Sequence, residues 1–454
     1  MTLPVLAAIA LGAMAAGTVG AEAPVAPSAP LRPVVLISID GLKPEYLRQA
    51  DSLGLRIPTL RQLMRSGASA RGVRGVLPTL TYPSHATLVS GVSPARHGIE
   101  ANTTFDPLQR NQSGWYWYAE DIRVSTLWDA VQAKGGTVAA VHWPVNVGAR
   151  ITWNVPQIWR TGMPDDRKLV RALGTPGLLD SLERRVGLPY PDGIDEGVMA
   201  DEARARFVAQ LLAWKRPTLT LAYLTAFDHE QHQAGPWSRP AFDVLERVDA
   251  AVDTIVSAAR RTFGSGVTIA VVSDHGFSAS HSEVHLAIPF VEAGLLQLGP
   301  DGRPAAWRAA LWPAGGSVGV MLADTSAALR DSVRALLDRT AADSTAGIAS
   351  VAMTGLSEAP EGFASAGFVV AFKPGYRIGY GLRGPLRTAA AGGMHGYPPD
   401  DPLMLATFLV TGAAVQARRE LGRIDMRDIA PTLAMLLGVH LPQAEGRVLP
   451  LGDN

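Results

Sequence analysis

Val34-Val35-Leu36-Ile37-Ser38-Ile39-Asp40-Gly41 is the stretch that decides the fold of this chain. A short, nearly all-apolar run of β-branched residues, with no polar alternation, reads as a strand buried on both faces, the kind found in parallel sheets between layers of helices. The run stops at Asp40-Gly41, and a helical pattern follows from Pro44. Comparable strand signals recur at 137–142, 218–224, 267–272, 368–372 and 404–410, with amphipathic helix patterns between several of them, notably 241–261 and 426–437. Strand and helix in alternation predict the α/β class, a mostly parallel central sheet with helices on both faces.

The strand ends carry the chemistry. Asp40 closes the first strand, Asp228 closes the apolar run from Leu219 to Phe227, and Asp274-His275 closes the run from Ile269 to Ser273. Ligands of such sheets gather at the carboxyl ends of the strands. Three carboxylates delivered beside a core are costly unless something cationic meets them.

Composition limits what that can be. The chain has 454 residues, 47% of them apolar, enough for one large core or two ordinary ones. Lys+Arg and Asp+Glu balance at 41 each, so no global field recruits nucleic acid or an anionic membrane. There is no cysteine, which excludes thiolate metal sites, disulfides and cysteine nucleophiles. Residues 1–21, apolar and ending in small side chains, read as a secretory signal, which predicts a periplasmic or secreted protein with no stable membrane anchor once it is cleaved. A retained anchor is the alternative, since no Lys or Arg precedes the apolar run. Residues 22–33, with four prolines, read as a flexible leader, and 34–454 as the working part of the chain. From about 286 to 387 the pattern loosens into Gly- and Pro-rich stretches, which predicts a subdomain inserted over the site.

Three further motifs lie outside the strands. Asp228 and His232 are four apart, so on a helical turn they share a face and suit one metal ion. Gly392-Gly393-Met394-His395-Gly396 supplies a histidine on a glycine-lined turn. In Leu77-Pro78-Thr79-Leu80-Thr81-Tyr82-Pro83-Ser84-His85, Pro83 marks a loop-to-helix junction, where unpaired amides and partial positive charge suit an anion beside the Thr81 hydroxyl. A threonine before a helix also serves as a plain N-cap. His229 reads as a neighbour of the ligands or a surface group, and His85, His97, His281 and His285 read as structural.

Taken in order, these elements resemble the alkaline phosphatase superfamily and, more narrowly, its nucleotide pyrophosphatase/phosphodiesterase family. They are Asp40-Gly41, Pro78-Thr79-x-Thr81-Tyr82-Pro83, Gly91-x-x-Pro94-x-x-His97-Gly98, Asn102, Asp228/His232 before Gly235-Pro236, Asp274-His275-Gly276 and Met394-His395-Gly396. The resemblance implies an alkaline-phosphatase-like fold and two Zn²⁺ per chain. One ion would be held by Asp228, His232 and His395, and the other by Asp40, Asp274 and His275 with the Thr81 oxygen. It also implies Thr81 as nucleophile, with Thr79 structural, and a phospho-threonine intermediate. Asn102 and the backbone amide of Tyr82 would steady the remaining phosphoryl oxygen, and the Tyr82 ring would lie against a nucleobase.

The substrate implied is a small nucleotide diester or pyrophosphate, cut to a nucleoside 5′-monophosphate. No cationic pair for a monoester dianion appears in His142-Trp143-Pro144-Val145-Asn146-Val147-Gly148, although Arg150 and Arg160 follow. The arginine of sulfatase motifs is missing after Pro83. A phosphomonoesterase, a phospholipid-headgroup phosphodiesterase, a phosphonate hydrolase and a catalytically silent metal-binding scaffold remain the alternatives.

Overall fold

The structure, a computed structural model, describes residues 30–111, 114–158, 166–191, 195–354 and 362–452. The signal segment, most of the leader and Arg160 lie outside the described residues. Eight strands form the central sheet in the order Arg419–Glu420, Ala68–Ser69, Phe408–Thr411, Thr268–Val272, Val34–Ile39, Leu219–Leu224, Val138–Val141 and Trp153–Val155. The five from Thr268–Val272 to Trp153–Val155 are parallel, and Phe408–Thr411 joins them antiparallel. The fold is the expected α/β arrangement.

Successive side chains of a strand point to opposite faces. Val35, Ile37 and Ile39 enter one core with the helices Val198–Lys215 and Arg239–Phe263, while Val34 and Leu36 enter a second with Leu127–Ala133 and Ile429–Leu437. Every residue of Val34–Ile39 is buried, because helices cover both faces. The helix Thr81–Ser90, also buried throughout, packs on the second face through Leu88 and Val89.

Two expectations shift. The run 368–372 forms a strand, but in a separate four-stranded antiparallel sheet with Ala309–Ala314, Ser317–Leu322 and Ile348–Met353. That sheet and the helix Ala327–Ala342 enclose a core of their own within the stretch expected to be an insertion. The strand at 219 ends at Leu224, so Asp228 lies in the first turn of the helix Ala226–Ala234 rather than on the strand. An apolar run this long does not reveal where strand gives way to helix.

His97 shows how tightly this body closes. Its Nδ1 accepts the Ile99 amide at 3.1 Å, so the proton sits on Nε2, which donates to the Thr87 hydroxyl at 3.0 Å. Burial pushes its pKa down to about 3, against roughly 6.5 in an unfolded chain. A depressed histidine contributes stability in full above the unfolded value and loses it as pH falls toward the folded one. Thermal midpoints should therefore drop steadily from about pH 6.5 downward, and His97→Gln should flatten that slope. An unchanged slope in the variant would show that the proton uptake lies elsewhere.

Candidate active site

The Val34–Ile39 and Thr268–Val272 strands run side by side and deliver Asp40 and Asp274 to one edge, as their register requires. Asp40 and Asp274 face His275 Nε2, each with a carboxylate oxygen at 3.3 Å. On the next helix, Asp228 holds one oxygen 3.3 Å from His232 Nε2 and the other 3.7 Å from His395 Nε2. The His275 and His395 rings stack at 3.7 Å between centroids and join the two groups.

Asp40, Asp274 and His275 have ligand-capable atoms within 4.8 Å of one another, and so do Asp228, His275 and His395. His275 thus belongs to both groups, where the sequence assigned it to one. His232 attaches to the second group through Asp228.

Each imidazole is turned the same way by backbone. His232 Nδ1 donates to the Gly393 carbonyl at 3.1 Å, His275 Nδ1 to that of Gly276 at 3.1 Å, and His395 Nδ1 to that of Thr79 at 3.0 Å. A carbonyl can only accept, so Nδ1 carries the proton and Nε2 presents a lone pair to the pocket. Such outer contacts fix the tautomer of metal-ligating histidines. Within the pocket, Asp40 Oδ1, Asp228 Oδ1, Asp274 Oδ2 and His275 Nε2 are buried without a hydrogen-bond partner. Burial, and then the Asp228 and Asp274 carboxylates, push the Asp40 carboxyl well above the usual range. Burial, and then the adjacent His275 ring, hold His395 well below the usual imidazole value. A pocket of crowded carboxylates and imidazoles, with oxygen and nitrogen donors and no sulfur, fits divalent cations.

Three glycines let these turns close. A Cβ on Gly276 would meet the Leu403 carbonyl at 2.1 Å, one on Gly392 the His232 carbonyl at 1.9 Å, and one on Gly396 the Ala314 carbonyl at 1.7 Å. Gly392 and Gly396 also have positive φ, at 74° and 86°.

The threonines are separated by their partners. Thr79 is fully buried and donates its hydroxyl to the Tyr397 carbonyl at 2.7 Å. Thr81 opens its helix two residues earlier than Pro83 alone suggests, and its hydroxyl makes no hydrogen bond to the described residues. His85, one turn on, bonds the Thr81 carbonyl at 2.8 Å and lies 3.7 Å from Asp274. Asn102 Oδ1 accepts the Tyr82 amide at 2.9 Å. That amide is therefore engaged, and the Asn102 Nδ2 group is the donor left over. The Tyr82 ring departs from the expected placement against a base: it is 1% exposed, packed among Ala86, Ile99 and Val145 beneath Trp115.

His281, His285 and His97 bond to local hydroxyls and amides, and His229 pairs with Glu196 at 3.2 Å. Arg150 is exposed. Reading the sequence missed two supports. The Tyr223 hydroxyl donates to Asp40. Asp201 and Arg204, both fully buried, pair at 2.9 Å, and together they bond the Ala226 amide and the Thr225 hydroxyl where the helix carrying Asp228 begins. The signal available for them was a charged pair three apart in a helical stretch, which ordinarily marks a solvated face.

Tyr223→Phe should weaken metal affinity about 10- to 100-fold in a direct titration with little change in thermal stability. Arg204→Met leaves Asp201 buried and unpaired, and should cost about 3–5 kcal/mol in denaturant unfolding. Wild-type behaviour in both variants would remove these residues from the support of the site.

The chain matches the family model "Type I phosphodiesterase / nucleotide pyrophosphatase" over residues 34–398. It is 25% identical over 260 residues to ectonucleotide pyrophosphatase/phosphodiesterase family member 3 of Mus musculus, covering 54% of this chain and 25% of that protein. It is 25% identical over 263 residues to the venom phosphodiesterase of Naja atra, covering 54% and 26%. The chain thus spans about a quarter of the length of these curated relatives. Murine ectonucleotide pyrophosphatase/phosphodiesterase 5, solved as an inactive form in complex with AMP, superposes with a TM-score of 0.65 at 18% identity, covering 92% of this chain and 100% of that one. The human counterpart gives 0.65 at 20% identity, covering 91% and 97%. The match to the family model over residues 34–398, most of the chain and a span that includes Asp40, Asp228 and Asp274, establishes that this chain belongs to the type I phosphodiesterase/nucleotide pyrophosphatase family.

Proposed function

We propose that the protein is an exported, zinc-dependent phosphodiesterase/nucleotide pyrophosphatase that converts nucleotide diesters or pyrophosphates to nucleoside 5′-monophosphates. The observation that carries this reading is the set of three imidazoles, each turned by a backbone carbonyl toward buried carboxylates, with His85 of the Thr81 helix 3.7 Å from Asp274. Asp40, Asp274 and His275 would hold one Zn²⁺ together with the Thr81 oxygen, and Asp228, His232 and His395 the other. Bound there, the ions supply Lewis acidity, which favours an ionised hydroxyl and offsets charge on the departing oxygen.

The chain's own residues do the rest. Thr81, whose hydroxyl has no acceptor among the described residues, is the nucleophile: its oxygen forms the bond to phosphorus as the bond to the leaving oxygen breaks, and water then cleaves the phospho-threonine. Asn102, held through its Oδ1 by the Tyr82 amide, offers Nδ2–H to a non-bridging oxygen as that oxygen gains charge. Thr79 serves structure, tying the loop to Tyr397 and His395. No Lys or Arg occurs in 142–148, which favours a diester over a monoester dianion. The antiparallel layer within 286–387 would shape substrate choice, since specificity in such folds resides in connecting segments.

The test compares kcat/KM for a nitrophenyl nucleotide diester and a nitrophenyl phosphate monoester, before and after chelation. The diester should be favoured, chelator should abolish turnover and Zn²⁺ should restore it. Thr81→Ala should lose at least about 1000-fold in kcat while retaining its zinc, and Thr79→Ala should stay active. Preference for the monoester would overturn the substrate assignment. Turnover by Thr81→Ala would overturn the nucleophile.

A further inference from the structure

The parallel sheet has a second edge, where its strands begin. The helices Val198–Lys215 and Arg239–Phe263 end just before the strands Leu219–Leu224 and Thr268–Val272, so their last turns lie at that edge. Between them and the end of the helix Leu178–Val186 runs a groove of about 600 Å³ lined by Arg185, Arg206, Arg216 and Arg261. No carboxylate lines it, all four arginines are exposed, and none forms an ion pair with a described carboxylate. In a chain of zero net charge, whose arginines elsewhere pair freely with Asp and Glu, this is a local cationic field.

Helix dipoles explain part of it, because cations are favoured in the last turn of a helix and Arg185, Arg216 and Arg261 sit at such ends. Arg206 sits at mid-helix, so the dipole gives no reason for it. Aromatic rings lie under the cations. Trp214 carries the Arg185 guanidinium at 4.1 Å and Lys215 Nζ at 3.7 Å, and Phe263 carries Arg216 at 5.2 Å. Cations beside half-exposed Trp and Phe are the composition of a surface that meets lipid headgroups.

We infer that the arginine groove is a docking surface for an anionic phospholipid bilayer. The two edges of the sheet are separated by the length of a six-residue strand, about 20 Å. A molecule docked through its arginines turns the edge that carries Asp40, Asp228, Asp274 and Thr81 away from the bilayer, toward the water phase. Its substrates would then come from solution rather than from the lipid beneath it, which weighs against the phospholipid-headgroup alternative. Docking is reversible and peripheral, a local effect that the balanced total charge conceals.

The test uses the full chain and vesicles of phosphatidylcholine with or without about 30% phosphatidylglycerol. Wild type should prefer the anionic vesicles, and the preference should collapse as salt rises from about 50 to about 300 mM. R206Q/R261Q, which alters two arginines without an aromatic or acidic partner, should lose about 25-fold in affinity for anionic vesicles, roughly fivefold per guanidinium. R206K/R261K should retain most of it. The comparison holds the N-terminal segment constant, and its readout does not depend on catalysis. Equal binding of wild type to both vesicles, an unchanged preference in R206Q/R261Q, or tighter salt-sensitive binding to a single-stranded oligonucleotide than to anionic vesicles would overturn the inference. The cysteine-free sequence permits an orientation test. A fluorophore on T262C, in the groove, should be quenched by brominated lipid, whereas one on Y380C, beside Trp115 across the molecule, should not; the reverse pattern would overturn the assigned orientation.

Discussion

Three carboxylates, Asp40, Asp228 and Asp274, share one buried pocket with the imidazoles of His275 and His395, and burial pushes the Asp40 carboxyl up and the His395 imidazole down. Left alone, that pocket is a liability, since like charges at close range in a dry site disfavour their own ionisation. Much of the surrounding structure is arranged to maintain it. Strand register aligns Asp40 with Asp274, a buried ion pair anchors the start of the helix bearing Asp228, and backbone carbonyls hold each imidazole in one tautomer. A pocket that crowds buried carboxylates and imidazoles at such expense in local order has the donor set of a cation site.

The site also depends on close approach between backbones from distant parts of the chain. The loop carrying His395 presses on the helix that carries His232 and on the strand Ala309–Ala314, and glycine is required at each contact because a Cβ would overlap a carbonyl oxygen. The antiparallel layer is thus wedged against the loop bearing His395 through Gly315 and Gly396. Substrate-facing structure can vary in that layer only within limits set by the position of His395.

The sheet separates two kinds of chemistry by its length. At the carboxyl edge, acidic side chains converge in a closed pocket; at the amino edge, arginines with no ion pair among the described residues spread over an open groove. Parallel strands make this polarity possible, because all of them start at one edge and finish at the other. An antiparallel sheet would mix strand starts and ends along both edges.

The α/β class, the strands, Asp40, Asp274, the Asp228/His232 pair and the separate loop bearing His395 were all legible in the sequence, because burial on both faces leaves uninterrupted apolar runs and helical spacing puts residues four apart on one face. Four things depended on packing between segments far apart in the chain. His275 joins both groups because its ring stacks on His395, 120 residues away. Tyr82 was expected at a base but lies in the core, since no local pattern shows which way an aromatic beside a loop will turn. Tyr223 and the Asp201–Arg204 pair support the ligands from inside a strand and a helix, where a sequence shows only an apolar run and an ordinary charge pair. The four arginines are scattered over 77 positions of a chain with no net charge, and they form a field only because three helices end at the same edge of the sheet. Local sequence sets periodicity and strand ends; which side chains meet is decided by the register and packing of elements that the sequence keeps apart.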